Sequence, residues 1–183
     1  GKLAGAIAAQ VRSDGSSAIT VIGPLASYMA VKAVAAADSY VRQSAPDEDR
    51  RLSVRAEKNE LPSREGKPET FGLMLNVRPV EMPPSAGVGA SGPDIFAAGK
   101  TNVGHMASSI VQKLASSASV TVGGMGADAV SATLKASIIA QKYMSKDASF
   151  VDTATLVLVP QFESFEEKDV HRIRMLLTCV LLK

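Results

Sequence analysis

The residues best equipped for chemistry are cations beside hydroxyls and amides, and the chemistry they suit is the holding of phosphate. Gly99-Lys100-Thr101-Asn102 sets a cation, a hydroxyl and an amide just ahead of a helical pattern that begins at Val103. Backbone N–H groups and the helix dipole favour an anion there. Lys2 holds the comparable place near the start of the chain. Residues 100–146 carry five lysines against one acid, Asp128, so this stretch has a local positive excess. Residues 42–69 balance seven cations with seven carboxylates. From that stretch Arg51, Arg55, Lys58, Arg64 and Lys67 can reach backbone phosphates, although a solvated, salt-bridged hairpin is the simpler account of them. Lys32 and Lys135 stand at matching positions of two alanine-rich segments. Contact with a ligand and snorkelling from a helix–helix interface are both open to them.

Other chemistries find less support. Gly87-Val88-Gly89-Ala90-Ser91-Gly92 spells a dinucleotide fingerprint but is followed by Pro93 and a strand pattern rather than by a helix. Gly99-Lys100-Thr101 resembles the end of a P-loop, yet the earlier glycine that a P-loop requires falls on Asp94. His105 and His171 are the only histidines and have no acid or cysteine at ligand spacing, so no metal and no cofactor are expected. The serine-rich pieces Ser108-Ser109 and Ser116-Ser117-Ala118-Ser119 lack a paired His and Asp. No catalytic constellation is present, and a non-enzymatic role follows.

The chain has 183 residues, 46% hydrophobic and 21% charged. That is enough apolar content for a core and too little for a membrane span. A formal charge of +2 is too small for binding to nucleic acid by charge alone. A single cysteine, Cys179, lies in an apolar run and reads as a core residue of a protein from a reducing compartment. The chain opens at Gly1 directly in a helical pattern, which favours a trimmed protein. A soluble protein of the cytoplasm, or of an organelle interior after loss of a transit peptide, is expected.

The elements that position these residues come in two rounds. Leu3, Ile7 and Val11 recur every four positions on a short helix that stops at Asp14-Gly15. Residues 18–22 form a strand, Gly23-Pro24 punctuates it, and Leu25 to Val41 is an alanine-rich helix. Arg51 to Glu57 and Thr70 to Val80 read as strands joined by a polar loop from Lys58 to Pro68. Three prolines and three glycines between Glu81 and Pro93 make a linker. The second round runs strand 94–98, helix 103–115, strand 118–122, helix 127–144, and strands 153–162 and 170–182. The letters repeat as well. Ile19-Thr20-Val21 matches Val120-Thr121-Val122, Lys32-Ala33 matches Lys135-Ala136, Tyr40 matches Tyr143, and Gly5 matches Gly104. Two copies of one unit are therefore expected, in domains 1–80 and 94–183 about a linker at 81–93.

A unit of this order, carrying Leu3-Ala4-Gly5-Ala6-Ile7-Ala8, Ile19 through Ile22-Gly23, and Ala30-Val31-Lys32-Ala33-Val34-Ala35, resembles the stage V sporulation protein S family, a branch of the Alba-like fold. The second copy keeps Val103-Gly104-His105-Met106-Ala107, Gly123-Gly124 and Leu134-Lys135-Ala136. The resemblance implies an α/β protein (an α+β sandwich) of two Alba-like repeats. Each would be a four-stranded mixed sheet with two helices on one face, and the first would lack its opening strand. It also implies pairing, here within one chain as a pseudo-dimer, and binding of RNA or DNA, with RNA favoured. In such proteins the loop before the first helix and the arms of the last hairpin hold the nucleic acid. That assigns Lys2, Lys100, Thr101 and Asn102 to the loops and Arg51, Arg55, Lys58, Arg64 and Lys67 to a hairpin arm. With no Trp and three Tyr, binding would be to backbone and shape rather than by base stacking. The other reading is a structural subunit of a homo-oligomer or larger complex, because the alanine-rich helices present small residues suited to close contact.

Overall fold

Leu52, Val54 and Ala56 alternate with Ser53, Arg55 and Glu57, the period of a strand with one face on a core. Strands of this kind and four helices build the molecule. The computed structural model describes residues 1–44, 50–60, 71–83, 92–150, 154–167 and 169–182. In chain order the elements are α1 (Lys2–Asp14), β1 (Ser17–Val21), α2 (Gly23–Ser44), β2 (Arg50–Glu60), β3 (Phe71–Glu81), β4 (Ile95–Ala97), α3 (Val103–Leu114), β5 (Ser119–Gly124), α4 (Gly126–Met144), β6 (Thr155–Glu167) and β7 (Val170–Leu182).

The strands expected for the two units, four to each with the first unit lacking its opening one, are joined in one seven-stranded sheet, ordered β1-β3-β2-β6-β7-β5-β4. All pairs are antiparallel except β4 with β5. The joint lies between β2 and β6, where Val54 faces Leu158. Both are fully buried, so joining the sheets keeps the apolar rows of the two halves continuous under the helices. On either side the order is mirrored. β1-β3-β2 answers β5-β7-β6, and β4 at one edge has no described counterpart beside β1.

The helices share one face. Leu52, Val54, Leu75, Val77, Val120, Val122, Leu156, Leu158, Leu177 and Cys179 point to it and form a single core with buried residues of all four helices. The alanine-rich faces of α2 and α4, which read as surfaces for an outside partner, pack against each other within the chain. The opposite face carries a smaller cluster of Val80, Val157, Val159 and Val180, with Met82 and Leu182 against it. Pro93 sits on that face too, because a Cβ on Gly123 would come within 2.6 Å of its Cγ. The connection between β3 and β4 therefore leaves and arrives on the face without helices.

Glycines explain the two helix entries. Gly23 and Gly126 open α2 and α4 with φ of 80° and 84°, a region costly for other residues. Gly124 serves close packing instead, since a Cβ there would stand 2.8 Å from the Cβ of Ala129. The last hairpin is longer than the expected strand ending at Phe162, because β6 continues to Glu167. Beyond Gln161 it is held by pairs across the strands, Glu163 with Arg174, Glu167 with Arg172 and Glu166 with His171. β2 likewise runs on to Glu60, so Lys58 lies in a strand rather than in the expected loop. The rest of that loop, with Arg64 and Lys67, lies outside the described residues, as does most of the glycine-rich stretch ending at Gly92.

Candidate functional site

The loop before α3 is built largely by its own side chains. Thr101 Oγ1 accepts from the Ala98 amide at 2.8 Å, and Asn102 Oδ1 caps α3 by accepting from the His105 amide at 3.0 Å. The amide of Thr101 donates to the Ala98 carbonyl. Both side chains thus shape the turn, and Lys100 is left as its exposed cation. Asp128, at the start of α4, packs against Gly99. It places a carboxylate beside the loop. Lys2 is exposed at the start of α1, a helix with no side-chain cap.

Lys32 is half-buried on α2 with its ammonium 5.2 Å from the centre of the Tyr28 ring, a cation–π distance. Its counterpart Lys135 is exposed on α4. Taken together, the helices and the turns that flank them, residues 1–44 and 99–147, carry nine cations: Lys2, Arg12, Lys32, Arg42, Lys100, Lys113, Lys135, Lys142 and Lys146. Four carboxylates, Asp14, Asp38, Asp128 and Asp147, oppose them. The helical layer has an excess of five positive charges.

The hairpins do not share that excess. Arg55 pairs with Glu57 at 3.1 Å and Lys58 with Glu60 at 3.5 Å. Arg55 and Lys58 do meet Lys142 of α4 around a cleft of about 200 Å³ that spans the joint between the halves. The β6–β7 arm is closed by the three pairs described above.

The most strongly built cluster lies elsewhere, around Asp38. This carboxylate is buried on α2; its Oδ1 accepts from the Leu52 amide at 2.7 Å and its Oδ2 from Arg51 Nε at 2.8 Å, with Arg42 at 3.9 Å. Arg12, from α1, donates through Nη2 to the Tyr40 carbonyl and to Ser44 Oγ. Arg12, Arg42, Arg50 and Arg51 line one cleft of about 440 Å³ in which Asp38 is the only described acid. Arg51 alone was marked by the sequence pattern. The rest come from three different elements and look like ordinary surface cations. The one available signal was Asp38 itself, an acid on the apolar face of an alanine-rich helix.

The matching place in the other half is neutral. Gln141 of α4 accepts from the Leu156 amide at 2.6 Å through Oε1 and donates to the Ala154 carbonyl at 3.0 Å. The tie from helix to strand is kept, and the charge is not.

Among the described residues no group of three His, Cys, Asp or Glu side chains is placed to hold a metal, and no helix is long and apolar enough to cross a membrane. A search of curated proteins finds no match to the chain. A family model does match, that of stage V sporulation protein S, over residues 1–48 and 95–180. The matched segments contain α1, β1 and α2, and then β4 through most of β7; the β2–β3 hairpin lies in the unmatched stretch between them. The chain belongs to the stage V sporulation protein S family.

Proposed function

We propose that this chain is a non-catalytic nucleic-acid-binding protein in which two Alba-like repeats pack as a pseudo-dimer, with RNA favoured over DNA as ligand. The observation that carries this reading is the excess of five positive charges over the helical layer, set against hairpins that neutralise themselves. The mirrored strand order, the paired left-handed glycines Gly23 and Gly126, and the two matching helix-to-strand ties support a pair of repeats. Lys100, exposed in the loop that the family resemblance marks, and Lys135, exposed on α4, are cations of that layer open to a ligand. Contacts of this kind read phosphate and helix shape, which suits double-stranded RNA more than base-specific duplex DNA.

The test is a fluorescence-anisotropy titration with single-stranded RNA, double-stranded RNA and duplex DNA at about 50 and 200 mM salt. Saturable binding that weakens steeply with salt is expected. Replacing Lys100 and Lys135 with alanine should weaken every ligand alike and lower the slope of log affinity against log salt by about one per lost phosphate contact. No binding at the lower salt overturns the reading. The packing of α2 against α4 within the chain favours this reading over the structural-subunit alternative.

A further inference from the structure

The cleft around Asp38 carries more charge than the fold needs. A glutamine makes the same helix-to-strand tie in the other half, and residues corresponding to Arg42 and Arg51 are there Ser145 and Thr155. Burying a carboxylate with a guanidinium carries a desolvation cost that a neutral amide avoids. The charged version therefore calls for a reason outside folding.

We propose that this cleft binds a phosphorylated small molecule of about nucleotide size. Its volume of about 440 Å³ falls within the range of ligand pockets, roughly 300–1,000 Å³. A guanidinium offers five N–H donors in a planar fork suited to phosphate. The contacts with Asp38 occupy Nε of Arg51, and those with Tyr40 and Ser44 occupy Nη2 of Arg12, so each side chain is held in place while further donors remain. Arg42, more than half exposed, stands at the mouth. Asp38 orients Arg51 and gives up its own lone pairs to Leu52 and Arg51, which weakens its repulsion of an anion. Val11, Val41, Leu52 and Pro79 supply apolar wall for the part of the ligand that bears the phosphate. The acidic run Asp47-Glu48-Asp49, next to the cleft in sequence, lies outside the described residues. The cleft shares Arg12 and Arg42 with the helical layer, so small-molecule probes, with no nucleic acid present, are what test it separately.

Isothermal titration calorimetry of the full chain with inorganic phosphate, adenosine 5′-monophosphate and adenosine tests it. Saturable binding of at least one phosphate probe is expected, with adenosine at least about tenfold weaker than its monophosphate, as the loss of charge-assisted bonds requires. Binding of inorganic phosphate but not of the monophosphate would overturn a ligand of nucleotide size, and tighter binding of the monophosphate would support it. R12Q and R42Q leave the Asp38–Leu52 tie untouched, and each should weaken the phosphate probe about tenfold while the ligand-free melting temperature stays within a few degrees. The proposal is overturned if neither phosphate probe binds, if adenosine binds as well as its monophosphate, or if both variants, folded by circular dichroism, bind with unchanged affinity.

Discussion

Cys179 has no exposed surface on β7, and burial, reinforced by the negative charge of Asp94, pushes its thiol up to about 12. In the unfolded chain it ionises near 9.0. Below pH 9 the neutral thiol suits both states. Above pH 9 the unfolded chain releases a proton that the folded one keeps, so stability falls as the pH rises. Denaturant midpoints measured from pH 8 to 10.5 should decline less steeply in C179A than in the parent, and parallel declines would show the thiol to be exposed. Iodoacetamide at pH 8 should label the parent only after unfolding. At the other end of the polarity scale, Asn102 caps α3 with its side chain, and N102A should cost about 1 kcal/mol in chemical denaturation. That loss would come without any phosphate bound, which separates its structural role from the ligand role assigned to the same loop.

The contact of α4 with β5 rests on small residues. A methyl added at Gly124 meets Ala129 at 2.8 Å and the Ala97 carbonyl at 3.4 Å, so G124A should destabilise by about 1–3 kcal/mol. A substitution that leaves the denaturation midpoint in place would mean that α4 can lift from the sheet. Elements of this kind were legible in the sequence, because apolar residues at periods of 2 and 3.6 leave a record in letters, and a doubled unit leaves it twice. The β6–β7 arm left no such record. Its partners are charges that meet only when Glu163 faces Arg174 across the strands. The arginine cleft is equally silent, since residues 12, 42, 50 and 51 converge only after α1, α2 and β2 have packed. The Lys100 loop was visible as a set of residue types, yet letters cannot show that Thr101 and Asn102 already spend their polar atoms on the turn and the cap.

At the scale of the molecule, the sheet and the larger core pass without interruption from one half to the other. Calorimetric unfolding should therefore show one transition with equal calorimetric and van't Hoff enthalpies, and two resolved peaks would show that the halves melt independently. V54D, which puts a charge at the fully buried joint opposite Leu158, should abolish that transition or lower its midpoint by well over 10 °C. The path of the chain adds a further consequence. β3 and β4 are consecutive strands, yet β2, β6, β7 and β5 lie between them in the sheet. The connection is thus a covalent tether that fixes the concentration at which one half meets the other, at about the millimolar level. A cut within residues 84–91 would remove no described contact, but it would turn a first-order assembly into a second-order one. At micromolar protein the two fragments would then face a penalty of about 4 kcal/mol, dilution would become a denaturant, and the melting temperature would begin to depend on how much protein is in the cell.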